Sequence, residues 1–280
     1  MNRILVLGSS GQIGGHLVKH LRSQDYEVIT FDIFSDPGED LRIQGILDDL
    51  LPQMDFVFFL AFDVGGSRYL NKYQKTFQFL DNNVKLMAYT FESLNKYNSK
   101  FIFASSQMSN MDYSSYGITK RLGEVYTEVL GGVVAKFWNV YGFEPDENKF
   151  HVITDLIYKA ATTGKIDLIT DGQELRQLLY ADDCCDCLTT LMRCYDHIDR
   201  SKPLHVSSMK WSKIIDVANL IAEKMGIYEV NPANSIDTVQ QDKRNEPDPY
   251  IQNFWIPKTT LSEGIDKVIF LMKEAAVIGC

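Results

Sequence analysis

Long hydrophobic runs are missing from this 280-residue chain. No stretch reaches the roughly 18 apolar residues of a membrane-spanning helix, and the N-terminal run Ile4-Leu-Val-Leu7 stops at Gly8, too short for the core of a secretory signal. Positive charge is in deficit. With 28 Lys and Arg against 37 Asp and Glu, the formal net charge is −9, which argues against nucleic acid or an anionic membrane as partner. Proline is scarce, at 8 residues, and forms no long tract with Gly or Ser, so neither a disordered segment nor a repeat array is expected. Cysteine is scarce too. Four of the five, Cys184, Cys185, Cys187 and Cys194, crowd into one helical-looking stretch without two Cys-x-x-Cys pairs, and adjacent Cys184 and Cys185 point to different sides of a helix. They read as reduced core residues, not as a metal centre. These absences leave the expectation of a cytoplasmic protein with a small-molecule partner.

What is present is a chain of 45% hydrophobic and 12% aromatic residues, enough to bury a substantial core. Apolar runs at 4–7, 27–31, 56–61, 100–104 and 133–138 read as buried strands. Helical patterns at 12–23, between the second and third strands, at 81–96 and from Tyr116 to Leu130 separate them. This alternation predicts an α/β fold, a Rossmann-type doubly wound parallel sheet that binds ligands at the carboxyl ends of its strands. Beyond Tyr141 the regularity weakens, with Gly164, Gly172, Pro203, Pro232, Pro247, Pro249 and Pro257 punctuating shorter elements. The expected organisation is a nucleotide-binding domain over 1–142, completed in part by segments near 175–225, and a smaller C-terminal substrate-binding lobe over 143–280 that does not fold independently. A strand at 204–207 and a helix at 212–225 are left open between the two, and 261–275 reads as a packing helix.

Two motifs carry chemistry. Gly8-Ser-Ser-Gly11-Gln-Ile-Gly14 lies between a predicted strand and a predicted helix. Gly8 permits a tight turn, Gly11 lets the backbone approach a pyrophosphate, Gly14 lets helix and strand pack closely, and the helix N-terminus offers amide donors. Ser10, Gln12 and Ile13 belong to the same cradle. Asp32 ends the second strand, where a carboxylate accepts hydrogen bonds from an adenosine ribose. No arginine follows in Ile33-Phe-Ser-Asp36, so a 2′-phosphate would meet uncompensated negative charge, and NAD is favoured over NADP. Asp40 and Leu41 are placed beside the adenine. The second motif, Tyr116-Gly-Ile-Thr-Lys120, puts a phenol and an ammonium on one helix face. A phenol with its ordinary pKa of about 10 is a base near neutrality only when a fixed cation stabilises its phenolate, and Lys120 is expected to supply that cation.

Together these segments resemble the extended short-chain dehydrogenase/reductase family, in particular its NAD-dependent nucleotide-sugar epimerases and dehydratases, over nearly the whole chain. Phe58-Phe-Leu60-Ala61-Phe-Asp-Val-Gly65-Gly66-Ser67 resembles the family's strand and loop beside the nicotinamide ribose, and Asn82 or Asn83 falls near its helix asparagine. Ile102-Phe-Ala-Ser105-Ser106 resembles the strand that ends in the catalytic hydroxyl, which the match puts on Ser106. Trp138-Asn139-Val-Tyr141-Gly142 resembles the segment whose asparagine meets the substrate diphosphate, and the stretch from Asp171 through Arg176 to Asp183 the one whose arginine grips it. A guanidinium fork suits phosphate oxygens. The resemblance implies cofactor contacts at Leu60 and Ala61 and substrate contacts at Gly66, Ser67, Ser106, Gln107, Asn139 and Arg176. It also implies a homodimer through the helices around 82–96 and 116–130, with Tyr89, Phe91 and Tyr126 near the seam, and a setting in glycan or polysaccharide precursor synthesis.

Departures from the family pattern restrict the reaction. Its dehydratases carry Asp-Glu directly after the catalytic hydroxyl, where this chain has Gln107 and Met108, neither of which exchanges protons near neutral pH. Gln107 also replaces the Cys of the 3,5-epimerising members. The implied chemistry is therefore hydride transfer at a sugar carbon, C4 first, with Tyr116 taking the hydroxyl proton, Ser106 orienting that hydroxyl and Lys120 tuning Tyr116 and holding the nicotinamide ribose. A ketone reduced again on its other face makes a 4-epimerase. A ketone released makes a 4-dehydrogenase or, run backwards, a ketosugar reductase, and a catalytically silent NAD-binding protein stands outside both.

Overall fold

The computed structural model describes residues 3–144, 146–240 and 246–279. Its first half alternates as β1 (Arg3–Leu7), α1 (Gln12–Arg22), β2 (Glu27–Phe31), β3 (Phe56–Phe59), α2 (Ser67–Tyr73), α3 (Phe77–Lys96), β4 (Phe101–Ser106), α4 (Ser115–Val129) and β5 (Val133–Phe137). There follow β6 (Asn139–Tyr141), α5 (Val152–Thr163), β7 (Ile166–Asp167), β8 (Leu175–Tyr180), α6 (Ala181–Arg193), β9 (Leu204–Val206), β10 (Trp211–Lys213), α7 (Ile214–Met225), β11 (Val230–Asn231) and α8 (Leu261–Glu274). The main sheet has the order β2-β1-β3-β4-β5-β9, parallel at every pairing.

Successive residues of the central strands alternate between two cores. Ile4, Val6, Phe56, Phe58 and Ile102 pack with Leu17 and Leu21 of α1 and Leu188 of α6 on one face, while Leu5, Leu7, Val57, Phe59 and Phe103 pack with Met87 and Phe91 of α3 on the other. Helices on both faces leave no solvated side, which is why these strands read as unbroken apolar runs. Cys184, Cys185 and Cys187 are free thiols inside the first core. The chain steps from β1 outward to β2 and then crosses to β3 on the other side, so a crevice opens above the carboxyl ends of β1 and β3.

The helix expected between the second and third strands is absent. Residues 32–55 run as turns ending in a 3₁₀ segment at Leu51–Gln53, with Leu41, Leu47 and Leu51 anchoring them in the α3-side core. Pro37, Gly38 and Gly45, the last at φ 76°, interrupt any longer helix.

One residue after β5 the chain leaves the main sheet. β6 pairs with β8, and β8 with β10, in a second sheet. That sheet and α5, α7 and α8 surround a separate core containing Ile153, Ile157, Val217, Ile221 and Val268. Of the two elements left open by the sequence, β9 joins the main sheet as its edge and α7 packs in the smaller core. Thr260 and Glu263 cap α8 reciprocally. Among the described residues no helix is long and apolar enough to cross a membrane, and no cluster of His, Cys, Asp and Glu has the form of a metal site.

Candidate active site

A cavity of about 690 Å³ opens over the carboxyl ends of the main sheet, within the roughly 300–1,000 Å³ range of ligand clefts. One wall is the turn from β1 into α1. Gly8 sits at φ 85°, where an added Cβ would lie 2.6 Å from the Ala61 backbone nitrogen, and a Cβ on Gly14 would lie 2.0 Å from the Gly8 carbonyl oxygen. Those two glycines are required by the protein. Gly11 is different, because a Cβ there would meet only the Gly8 oxygen at 3.5 Å, an ordinary contact, on a wall of the cavity. No side chain caps α1 at Gly11, and Gln12 Nε2 is buried without a hydrogen-bond partner among the described residues. Open helix amides, an orphaned donor and a cradle that a methyl would begin to fill fit a pyrophosphate.

The adenosine end is more occupied than the sequence suggests. Asp32 Oδ2 accepts from the Ser10 backbone N–H at 2.9 Å and Oδ1 from that of Phe34 at 2.9 Å, so this carboxylate ties the glycine turn to the end of β2 while still lining the cavity. Glu39, which the sequence reading did not single out, accepts from the Asp32 backbone N–H and adds a second carboxylate to the same wall. Arg42 also reaches this wall. Its guanidinium is held by both carboxylate oxygens of Asp40 and by Asn82 Oδ1, and this pairing holds the Asp40 carboxyl below its usual range. Leu41 is buried in the α3-side core with its edge on the cavity.

At the other end, β4 delivers Ser106 and α4 delivers Tyr116 and Lys120. Ser114 caps α4, and Gly117 lets the helix start against the preceding turn, since a Cβ there would lie 2.2 Å from the Met108 carbonyl oxygen. Ser106, whose Oγ accepts from the Met108 backbone N–H at 3.1 Å, lies beside the Tyr116 phenol. Lys120, 3% exposed, donates to the Ala104 carbonyl at 2.7 Å. The expected depression of Tyr116 does not appear. Burial pushes the phenol up to about 12 against the pull of the Ser106 hydroxyl, and burial pushes Lys120 down to about 7 against the charge of Glu124. The ammonium lies 5.9 Å from the Tyr116 ring centroid, and both groups pay desolvation. Beneath them, Glu124 is 1% exposed, yet the hydrogen bond from Ser105 and the Lys136 charge outweigh its burial and hold its carboxyl low.

The same cavity collects Gly66, Ser67, Gln107 and Asn139 at its far end, with Asn139 Oδ1 buried and without a partner among the described residues. Leu60 and Ala61 line it beside the glycine turn. Asn83 fixes the loop after β3 through both the N–H and the carbonyl of Asp63. Arg176 does not reach the large cavity. It lines a neighbouring one of about 100 Å³, where its guanidinium pairs with Asp237 at 2.6 Å and donates to the Gln240 carbonyl. A pair missed by the sequence reading does reach it: His151 Nδ1 lies 2.6 Å from Glu144 Oε1, and Glu144 Oε2 accepts from the His151 backbone. Burial disfavours the charged ring, but Glu144 outweighs it and raises the His151 pKa.

The model of the NAD dependent epimerase/dehydratase family matches residues 4–206, well over half the chain and all of the Gly8 and Tyr116 machinery. This chain belongs to that family. It is 22% identical to UDP-glucuronic acid decarboxylase 1 of Arabidopsis thaliana, over 95% of this chain and 69% of that protein. It is 25% identical to GDP-L-fucose synthase of Sinorhizobium fredii, over 95% of this chain and 93% of that protein. Among solved structures, the UDP-glucose 4-epimerase of Thermotoga maritima, crystallised with UDP-glucose, superposes with a TM-score of 0.82 at 20% identity over 98% of this chain and 99% of that one. That likeness is one of fold.

The family is NAD-dependent, and the cavity has two ends: the Gly8–Gly14 turn and Asp32, whose chemistry fits an adenosine diphosphate, line one, and Ser106, Tyr116 and Lys120 line the other. Of the residues the sequence reading overlooked, Glu124 had a signal, being four positions after Lys120 on one helix. Glu144 and His151 had none, since no spacing rule links two residues across an irregular loop.

Proposed function

We propose that this member of the family is a nucleotide-sugar oxidoreductase that transfers hydride at a sugar carbon, C4 first, and acts as a 4-epimerase. The observation that carries the reading is the convergence of Ser106, Tyr116 and Lys120 on the cavity that also holds the glycine cradle. When bound, NAD supplies the hydride acceptor. Ser106 orients the sugar hydroxyl, Tyr116 as phenolate takes its proton, and Lys120 as ammonium holds that phenolate charged. The dry site alone favours the neutral phenol, so the base becomes competent only with further positive charge or hydrogen bonding beside Lys120. Two carboxylates at the adenosine end, with Arg42 already neutralised by Asp40, support NAD over NADP. A reaction with net redox change, as a 4-dehydrogenase or ketosugar reductase, uses the same residues.

The Glu144–His151 pair favours a second reading. A carboxylate-oriented imidazole in the substrate end is a proton carrier that Gln107 and Met108 are not, so a ketone formed at C4 has a base available for proton removal at the adjoining carbon.

The apolar residues left exposed on α3 (Phe77, Leu80, Val84) and α4 (Ile118, Leu122, Val125, Val129) recur at helical spacing on adjacent helices. We read them as the seam with a second copy. Phe91 is buried within the protomer, stacked on Tyr126 at 5.0 Å between centroids, and so lies behind that seam. The setting we assign is cytoplasmic synthesis of sugar precursors for glycans.

The deciding experiment compares the parent with Tyr116→Phe on UDP-hexoses and GDP-hexoses, following C4 epimers, NADH and solvent deuterium in the product. Interconverted epimers without NADH identify an epimerase, stoichiometric NADH a dehydrogenase, and deuterium at a neighbouring carbon the Glu144–His151 chemistry. Turnover that survives Tyr116→Phe with unchanged rate overturns the mechanism.

A further inference from the structure

The cavity fixes the order in which a dinucleotide can lie. Asp32 and Glu39 mark the adenosine end, and Gly11 with the N-terminus of α1 marks the pyrophosphate. Tyr116 takes the proton of the hydroxyl borne by the same carbon that gives up the hydride, so the ring that accepts the hydride must stand beside Tyr116. The ribose joining that ring to the pyrophosphate would then pass the end of β3, beyond Ala61, where Lys120 could hold it.

That place is filled by a side chain. The Phe62 ring faces the Lys120 ammonium, with Nζ 3.7 Å from its centroid, and meets the Tyr116 ring edge-on at 5.7 Å and 78°. It therefore touches both members of the acid–base pair. An ammonium has three donors. Among the described contacts one goes to the Ala104 carbonyl, and the rest of the Lys120 head meets the faces of Phe62 and, at 5.1 Å, Phe103. A cation–π contact substitutes for hydrogen bonds that two ribose hydroxyls would make directly. Phe62 itself is only part-buried. It leans on a small cluster that includes Leu70, Met108 and Val239 and on the rim of the α3-side core, and its remaining surface borders the cavity, the side toward which its ring can move.

We propose that Phe62 is a specificity-determining residue: a displaceable plug over Lys120 that a nucleotide carrying a second ribose must push aside and that a nucleotide ending at the diphosphate never meets. The proposal rests on the reading that the cavity takes NAD. It makes binding of the reactive half of the cofactor the event that uncovers Lys120, and it keeps the pair dry until then.

Calorimetric titration of the parent, Phe62→Ala and Phe62→Leu with NAD and, separately, with ADP tests this. Phe62→Ala is expected to tighten NAD by about tenfold and to leave ADP within about twofold, with Phe62→Leu between parent and Ala. NAD binding seen only in the variants also supports the plug. NAD affinity that is unchanged, that falls, or that moves in parallel with ADP overturns it, since the ring is then either packing or a platform for the cofactor. ADP serves as the control for a damaged fold, and Phe62→Leu decides if Phe62→Ala loses ADP. If the parent and both variants bind neither NAD nor ADP, the cofactor reading itself fails, which is a separate outcome.

Discussion

Trp138 donates its indole N–H to Nδ1 of His205 at 3.0 Å, joining the end of β5 to its edge partner β9. The bond commits the neutral imidazole to carrying its proton on Nε2. Burial and the nearby Lys136 charge push the His205 pKa down to about 4. Below pH 6.5 the unfolded chain therefore takes up a proton that the folded one refuses, and stability is lost as pH falls from about 6.5 toward 4, at up to about 1.4 kcal/mol per pH unit. In His205→Gln that contribution to the slope disappears. Urea unfolding of parent and variant at pH 6.5 and 5.0 checks it, and equal slopes would refute the assignment.

Lys120 gives the same sign in a higher pH window. Its pKa is pushed down to about 7 in the folded protein, so between that value and the ordinary 10.5 the unfolded chain binds the extra proton and stability rises with pH. Relative to Lys120→Met, which never has a charge to bury, the cofactor-free parent gains about 1.4 kcal/mol per pH unit across pH 7.5–8.5. Tyr116, pushed up to about 12, weakens stability only above pH 10 and does not enter this window. Denaturation of the two proteins at both pH values measures the difference.

The glycines of the cradle separate into two kinds. Gly14→Ala forces a Cβ to within 2.0 Å of the Gly8 carbonyl and is expected to abolish soluble, cooperatively unfolding protein. Gly11→Ala meets nothing closer than 3.5 Å and leaves the midpoint of unfolding within about 0.5 kcal/mol of the parent, while NAD and ADP affinity fall at least about tenfold. Thermal melts with and without ADP distinguish the two, and a Gly11→Ala protein that binds ADP normally would remove the pyrophosphate from this wall.

For the proposed seam, Leu122→Glu puts a charge in the middle of the exposed apolar stripe of α4, at a side chain that is 42% exposed in the protomer. Sedimentation of the parent as a dimer and of the variant as a monomer, with unchanged helix content, is the expected result. A parent that sediments as a monomer at tens of micromolar would show that the stripe has another use.

How much of this was legible beforehand depended on whether a residue's surroundings could be inferred from its neighbours in sequence. The strands at 4–7 and 56–59 were legible because burial on both faces writes itself as an unbroken apolar run. β8 was not, since its Leu175-Arg-Gln-Leu-Leu-Tyr180 sequence mixes in Arg176 and Gln177, which are buried only because Asp237 and Ser207, far along the chain, satisfy them. The turns of 32–55 imitate a helix because leucines spaced four and six apart reach one core through turns bonded mostly i→i−3, without a continuous helical ladder. At the site, the spacing of Tyr116 and Lys120 correctly placed both on one wall of the cavity, but spacing says nothing about water. Their electrostatics follow from desolvation, which only the assembled loop after β3 reveals.

Trp138 is the single residue between a strand of the large sheet and a strand of the small one. The floor of the ligand crevice is thus one uninterrupted ribbon, with its N–H on Val206 of β9, its indole on His205, and Asn139 directly after it facing the substrate end. Two bodies welded through one extended segment cannot hinge widely without tearing a strand pairing. A wide hinge between the two halves would therefore have to break the β5–β9 or β6–β8 pairing.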